Sequence, residues 1–166
     1  MAEPLVIVLM GVSGSGKTTV GELLAKSLEG TFAEGDAYHP AANVEKMRHG
    51  IPLDDADRQP WLETLSREIG NWLAAGRTVV LACSALKRSY REILRGGRPE
   101  VRFVYLKGDA ALIRARLAGR SGHYMPPSLL DSQIATLEEP HSALVVTIDG
   151  PPEEIAGRIL AGLGRA

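Results

Sequence analysis

The chain has 166 residues and a formal net charge of −1, with 45% hydrophobic and 23% charged residues. This length provides one domain with a core and is too short for two ordinary domains. The near-zero charge gives no reason to expect nucleic acid or a membrane surface as a partner, and no apolar run is long enough to span a bilayer. The single cysteine, Cys83, excludes an internal disulfide and fits a reducing compartment. We therefore expect one cytoplasmic domain over residues 1–166.

The chain begins with a pattern typical of strand, glycine loop and helix. An apolar run at residues 5–10 precedes Gly-Val-Ser-Gly-Ser-Gly-Lys-Thr at residues 11–18, and residues 19–28 carry apolar side chains at helical spacing. In this context the pattern GxxxxGK[ST] predicts a phosphate-binding loop, because its glycines let backbone N–H groups converge on phosphate oxygens. A chance glycine turn is the alternative, and the flanking strand and helix argue against it.

The loop predicts a nucleoside triphosphate and Mg²⁺ as ligands. We expect Lys17 to reach the β- and γ-phosphates and the Thr18 hydroxyl to bind Mg²⁺. The residues expected to contact the nucleotide are Gly11, Val12, Ser13, Gly14, Ser15, Gly16, Lys17, Thr18 and Thr19.

Further apolar runs of strand length lie at residues 31–33, 78–83, 101–106 and 144–148, with helical patterns between them. One apolar stripe of helical period runs from Trp61 to Leu73 and ends at Gly76, which assigns Trp61 and Trp72 to the core. Asp109 is expected to cap a helix over 110–117, and a last helix extends from 152 to 160. This alternation predicts an α/β fold with a parallel, five-stranded sheet and helices on both faces. Cys83 lies in an apolar run and is expected to be a buried core residue.

Two stretches interrupt the alternation. Residues 36–60 are rich in Asp, His, Asn, Arg and Pro, and residues 119–127 contain two glycines and two prolines. In an open α/β sheet, ligands bind at the carboxyl ends of the strands. We expect residues 36–60 to hold a second substrate and residues 119–127 to form a lid over the phosphates.

The motifs outside the loop indicate which kind of molecule receives the γ-phosphate. The chain has no Asn/Thr-Lys-x-Asp segment for guanine, and the apolar run at 79–83 ends in Ser84 rather than an acid. Motor and AAA-type ATPases are longer and usually carry such an acid. Here the acids Glu34 and Asp36 follow the second strand, which suits a small-molecule kinase with Glu34 near hydrated Mg²⁺ and Asp36 near the acceptor hydroxyl.

Three arginines lead into the predicted lid. Arg114, Arg116 and Arg120 lie along one predicted helix, and arginine stabilises the charge that develops during phosphoryl transfer. We expect Arg116 to contact the nucleotide and Arg120 to act in catalysis. A solvated basic helix face is the alternative, and it applies most strongly to Arg114.

Several segments together are specific to one family of kinases. They are Gly35-Asp36 with His39-Pro40, Asn43 with Lys46-Met47, residues 50–62, Ala82-Cys83-Ser84-Ala85-Leu86-Lys87 with Tyr90-Arg91, Arg120 with His123-Tyr124-Met125, and Ser132-Gln133 with Leu137-Glu138 and Pro140. On these segments the chain resembles the bacterial-type gluconokinases of the P-loop kinase group over nearly its whole length. The resemblance implies a three-layer P-loop kinase fold with a lid, transfer of phosphate from ATP to D-gluconate with Mg²⁺, and a homodimer. Glu34, Tyr38 and Tyr124 depart from the usual Asp, Leu and Phe.

The residues are compatible with gluconate as the acceptor. This linear polyol acid needs a cation at one end, for which Arg58, Lys87 and Lys46 are candidates, and hydrogen-bonding partners along its length. The candidate partners are Asp36, His39, Asn43, Ser84, His123 and Gln133. The alternatives are an ion pair of Arg58 with Asp54 or Asp55, and a turn-forming role for His39. For the whole protein, the alternatives are a kinase for another small acid such as shikimate, or an inactive nucleotide-binding regulatory module.

Overall fold

A computed structural model of the protein describes residues 3–118 and 127–164. Its sheet has five parallel strands in the spatial order β2-β3-β1-β4-β5. These are β1 (Leu5–Met10), β2 (Thr31–Glu34), β3 (Thr78–Ala82), β4 (Val101–Lys107) and β5 (Leu144–Thr147). All five strands lie within two residues of their predicted bounds, and the predicted α/β fold is confirmed.

Seven α-helices lie in the described part of the chain. They are α1 (Lys17–Ser27), α2 (Ala41–Arg48), α3 (Asp55–Ala74), α4 (Arg88–Arg95), α5 (Ala110–Ala118), α6 (Pro127–Thr136) and α7 (Pro152–Gly162), and a short 3-10 helix spans Gly35–Tyr38. Helix α1 packs against α7, and α3 packs against α4. Every residue of β1 is buried. Because successive strand side chains point to opposite faces, β1 is covered on both faces of the sheet.

The start of α3 lies six residues before the apolar stripe that predicts it. Asp54 caps the helix, since its carboxylate accepts from the Asp57 backbone N–H at 2.7 Å. The Asp57 carboxylate in turn accepts from the Asp54 N–H at 3.0 Å, which completes a capping box. This polar first turn carries Asp55 and Arg58 to the edge of the site.

The predicted core residues are buried. Trp61, Trp72 and Cys83 all belong to the hydrophobic core, together with most of β1, β3 and β4. Burial raises the pKa of the Cys83 thiol to about 12, so the thiol is protonated at neutral pH. No helix in residues 3–118 or 127–164 combines the length and apolar character that crossing a membrane requires.

The sheet order brings three segments together at one edge. Because β3 lies between β1 and β2, the loop after β1 neighbours the residues that follow β3 and β2. The Gly11 N–H donates to the Ser84 carbonyl at 3.2 Å across this edge. At Gly35, a Cβ atom would lie 2.4 Å from the Ala82 carbonyl oxygen, so only glycine permits this approach of the chain after β2 to β3.

Candidate active site

The glycine loop has the backbone shape of a phosphate cradle. Gly14 and Gly16 have φ angles of 84° and 92°, in the left-handed region that favours glycine. The loop ends at Lys17, the first residue of α1, so the positive end of the helix dipole faces the loop. The Lys17 ammonium lies over the loop and donates to the carbonyls of Gly11 at 2.8 Å and Val12 at 3.1 Å.

Helix α6 contacts the same loop through Gln133. The Gln133 Oε1 accepts from the Ser13 backbone N–H at 2.7 Å, and its Nε2 donates to the Ser13 hydroxyl at 3.1 Å. The structure therefore places Gln133 against the nucleotide loop, whereas the sequence assigned it to the acceptor. Ser15 is fully buried, and its hydroxyl has no hydrogen-bond partner among the described residues.

Thr18 and Glu34, the two predicted magnesium residues, lie side by side. The Thr18 hydroxyl donates to the Glu34 carboxylate at 2.6 Å. Both offer hard oxygen atoms, and Mg²⁺ is usually held by one or two protein oxygens together with water and phosphate oxygens. Within the described ranges no cluster of three or more His, Cys, Asp or Glu side chains forms a metal site. The pair fits a hydrated magnesium ion that is bound mainly through the nucleotide.

A cavity of about 330 Å³ adjoins the glycine loop. It is lined by Gly14, Ser15, Gly16, Thr19, Val20, Arg116, Gly150, Pro152 and Ile155. The Arg116 guanidinium donates to the Ile148 carbonyl at 2.6 Å, which anchors this side chain at the cavity wall. A flat guanidinium opposite apolar side chains suits a nucleotide base. The sequence predicted Arg116 but not the segment around Gly150, whose one signal is its position after the last strand.

Arg114 lies apart from this cavity. Its guanidinium forms an ion pair with Asp131 of α6, and both side chains are more than half exposed. This contact matches the alternative of a surface role for Arg114.

Asp36 stands on the short 3-10 helix after β2, and its side chain is 72% exposed. The backbone beneath it is fixed, because the Trp61 indole N–H donates to the Gly35 carbonyl at 2.9 Å. An accessible carboxylate on a fixed backbone can meet an acceptor hydroxyl without rearrangement.

His39 is a buried neighbour of the Asp36 carboxylate. Its side chain is only 3% exposed, and its ring stacks on Trp61 with the centroids 4.0 Å apart. The Asn43 amide nitrogen lies 3.1 Å from His39 Nδ1 and can only donate, so Nδ1 accepts and the proton resides on Nε2. That Nε2 atom faces an Asp36 carboxylate oxygen at 3.8 Å.

His39 is neutral at physiological pH. Burial lowers the pKa of the imidazole below its ordinary value, Asp36 opposes this shift, and Arg58 adds to it. The effects of Asp36 and Arg58 on this pKa place both charges in the neighbourhood of His39. A neutral Nε2–H directed towards the Asp36 carboxylate is suited to orienting that side chain.

The three candidate cations differ in their partners. Lys46 donates to both carboxylate oxygens of Asp57 at 2.9 Å, and Lys87 donates to those of Asp55 at 3.0 and 3.2 Å. These hydrogen bonds raise the pKa of each lysine and lower the pKa of Asp57. The pKa of Asp55 is lowered first by a hydrogen bond from Tyr90 and then by the one from Lys87. Arg58 donates instead to the neutral Tyr90 hydroxyl at 2.9 Å.

Among residues 3–118 and 127–164, no carboxylate lies within 4.0 Å of the Arg58 guanidinium. The alternative ion pair of Arg58 with Asp54 or Asp55 is therefore not formed. The positive charge of Arg58 is thus without a carboxylate partner in these ranges, and it lies near enough to His39 to lower the pKa of that imidazole.

Arg91 and Glu138 hold the segment 84–87 in place. In the sequence these two residues stood out only as members of motifs. Ala85 is buried with a φ of 45°, which is strained for a residue with a side chain. Arg91 holds it, since its guanidinium donates to the carbonyls of Ala85 at 2.7 Å and Glu138 at 2.9 Å. The Glu138 N–H donates to the Leu86 carbonyl at 2.7 Å. Ser84 and Lys87 are thus presented from a rigid turn.

Comparison with known proteins identifies the family. A family model described as an AAA domain matches residues 6–140. A gluconokinase from Gluconobacter oxydans (strain 621H) is 54% identical over 138 residues, which cover 83% of this chain and 78% of the relative. The chain belongs to the gluconokinase family. The AAA domain model covers the loop and the sheet core, and the close relatives are kinases.

Solved structures agree with this family. A sugar kinase from Janibacter sp. HTCC2649 has a TM-score of 0.92 at 44% identity, covering 98% of this chain and 96% of that one. A gluconokinase from Sinorhizobium meliloti 1021 has a TM-score of 0.88 at 46% identity, covering 99% and 94% of the two chains. The P-loop kinase fold implied by the sequence resemblance is confirmed.

Three predictions for this gluconokinase-family chain lie wholly or mainly outside the described residues. Arg120 and His123 belong to residues 119–126, as does most of the predicted lid at 119–127. The catalytic role of Arg120, the acceptor contact of His123 and the lid stay predictions.

Proposed function

We propose that this protein is a cytoplasmic kinase that transfers the γ-phosphoryl group of ATP to the 6-hydroxyl of D-gluconate. One observation carries the proposal beyond the family. An accessible carboxylate, Asp36, follows β2 at the sheet edge that carries the nucleotide loop, and a guanidinium that contacts no described carboxylate, Arg58, lies close enough to act on the same His39 ring as Asp36 does. A polyol acid has both groups that this pair would recognise, a hydroxyl and a carboxylate.

The donor would occupy the loop and the adjoining cavity. Backbone N–H groups at Gly14, Gly16, Thr18 and Thr19 and the Lys17 ammonium would bind the phosphates, and the base would lie against Arg116. Thr18 and Glu34 would hold Mg²⁺, which when bound shields the phosphate charge during transfer.

Transfer itself needs positioning more than a strong base, because the transition state is loose. Asp36 accepts a hydrogen bond from the 6-hydroxyl and takes its proton as the oxygen bonds to phosphorus and the β–γ bridging oxygen leaves with ADP. Lys17 neutralises charge on the transferred group, and Arg120 is proposed to do the same. The neutral His39, whose Nε2 lies 3.8 Å from an Asp36 carboxylate oxygen, would help to orient that side chain.

The acceptor would be oriented along the line from Asp36 to Arg58. Its carboxylate would bind Arg58, because Lys46 and Lys87 are each paired with an aspartate. Ser84 on the rigid turn would contact hydroxyl groups between the two ends. Gln133 would act through the nucleotide loop instead of touching the acceptor.

A coupled assay of ADP release over a panel of acceptors tests this function. D-gluconate should give turnover far above shikimate, D-glucose and the remaining sugar acids. Turnover with shikimate alone would establish the kinase for another small acid. ATP binding in calorimetry without a phosphorylated product from any acceptor would establish the inactive regulatory module. The homodimer implied by the resemblance is tested separately by sedimentation equilibrium.

A further inference from the structure

A hydrogen-bonded relay links α3 to α4 at the acceptor end of the site. The Tyr90 hydroxyl accepts from Arg58 Nη1 at 2.9 Å and donates to an Asp55 carboxylate oxygen. Lys87 holds the same carboxylate through both oxygens. The Tyr90 ring is buried, and the Arg58 Cζ and Lys87 Nζ atoms lie 5.4 and 5.7 Å from its centroid.

The direction of each hydrogen bond is fixed by chemistry. A guanidinium and an ammonium can only donate, and an ionised carboxylate can only accept. The single Tyr90 proton therefore goes to Asp55, and a lone pair of the Tyr90 oxygen is left for Arg58. Asp55 thus sets the rotation of the hydroxyl, and the hydroxyl sets the orientation of the guanidinium.

The charges of the relay are unequal. Asp55 neutralises Lys87, whereas the Tyr90 hydroxyl orients Arg58 without neutralising it. The relay as a whole keeps one positive charge, and this charge resides on a planar fork suited to a carboxylate. A carboxylate in the place of the Tyr90 hydroxyl would orient Arg58 equally well but cancel this attraction.

We infer that Tyr90 and Asp55 are positioning residues that hold Arg58 for the acceptor carboxylate and so determine the preference for an acid over a neutral polyol. This inference rests on the proposed function. Neither residue touches the acceptor; both act through Arg58.

Substitution of Tyr90 by Phe removes the hydroxyl and keeps the ring. We expect the KM for D-gluconate to rise about tenfold, as for the loss of one hydrogen bond to a charged group. The kcat and the KM for ATP should stay within twofold of wild type. The ratio of kcat/KM for D-gluconate to that for the neutral D-gluconamide should fall about tenfold, because only the acid uses Arg58. A merely structural role of Tyr90 would lower kcat/KM for the acid and for the amide by the same factor, and their ratio would not change.

A matched control is Tyr105→Phe. Tyr105 is also a buried tyrosine and lies on β4 outside the relay, where burial first and the Glu139 carboxylate next raise the pKa of its hydroxyl. This variant should leave the acid-to-amide ratio unchanged.

Two variants of Asp55 test the relay without altering Tyr90. Asp55→Ala removes the acceptor of the Tyr90 proton and should raise the KM for D-gluconate several-fold. Asp55→Asn keeps an acceptor oxygen and should hold that KM at or below the wild-type value. Both variants leave the Tyr90 side chain intact. They therefore test the positioning of Arg58 even if Tyr90→Phe does not fold.

Wild-type turnover of D-gluconate is measured first and tests the proposed function alone. If it is present, an unchanged acid-to-amide ratio in Tyr90→Phe, or equal effects of Asp55→Ala and Asp55→Asn, overturns the relay. If the wild type accepts a different acid, that acid and its amide replace the gluconate pair, and the same outcomes apply.

Discussion

At the scale of single residues, the site depends on which charged groups are compensated. The Asp36 side chain is exposed, and its buried neighbour His39 is neutral. Lys46 and Lys87 are paired with carboxylates, and Arg58 has no such pair among the residues that the structure describes. These residues could be selected as site candidates from the sequence, because they stand in recognisable motifs. The sequence could not predict the pairing, since partners such as Arg58 and Tyr90 are 32 positions apart.

Replacement of Asp36 by Asn tests its part in transfer. The amide keeps the shape of the side chain but cannot take the hydroxyl proton, so kcat should fall by ~10²–10⁴-fold. ATP affinity, measured by calorimetry, should stay near the wild-type value, because Asp36 is not part of the nucleotide loop. A kcat within a few-fold of wild type would remove Asp36 from the chemistry.

The buried His39 predicts a pH dependence of stability. Its pKa in the folded state lies below the ordinary 6.5, so the unfolded chain binds the proton more readily. The contribution of His39 to the free energy of unfolding is therefore complete above pH 6.5 and is lost as the pH falls below that value. Urea unfolding between pH 8 and 5 should show a loss of stability that is smaller in His39→Gln. The exposed His49 provides the control, and an equal reduction in His49→Gln would contradict this origin.

At the scale of elements, the strands and the body of α3 were predictable, whereas α2 and the first turn of α3 were not. Continuous apolar runs specify strands that are buried on both faces, which is why β1 and β3 were predicted closely. Helix α2 carries one buried residue, Asn43, and so lacks an apolar stripe. The first turn of α3 is polar and is specified by its capping box, so apolar periodicity places the helix start too late.

The close approach of the chain after β2 to β3 predicts a strong effect at Gly35. A Cβ there would lie 2.4 Å from the Ala82 carbonyl, within a sheet that cannot move aside. Gly35→Ala should therefore destabilise the protein by about 1–3 kcal/mol and lower kcat by displacing Asp36. Gly157→Ala is the matched control, because Gly157 is exposed on α7 with no atom within 4 Å of the added methyl.

This control substitution should stabilise the protein by about 0.5–1 kcal/mol, since alanine is the better helix former. Thermal and urea unfolding measure both variants. A Gly35→Ala protein as stable and as active as wild type would show that the approach to β3 is not tight.

At the scale of the whole molecule, Cys83 reports on global unfolding. It is the only cysteine of the chain, it is buried in the core, and its pKa is raised to about 12. At pH 8 the native thiol should react with a disulfide reagent at a rate limited by opening of the core. Saturating ATP should slow labelling further by stabilising the folded state. Fast labelling that ATP does not affect would mean that Cys83 is reached without unfolding.

The sheet order links these scales, because it brings residues that follow β1, β2 and β3 to one edge. The loop at 11–18 and Asp36 could be assigned to this edge from the sequence, because the ligands of a doubly wound sheet lie there. The relay of Arg58, Tyr90 and Asp55 could not, since it depends on how α3 packs against α4.

Phosphorus NMR of a mixture of the enzyme, ATP, Mg²⁺ and D-gluconate examines the proposed reaction itself. It should show one new phosphomonoester, coupled to the two protons on C6 of gluconate and formed in step with ADP. Release of ADP with inorganic phosphate as the only other product, or a phosphomonoester formed only when shikimate replaces gluconate, would contradict the proposed function.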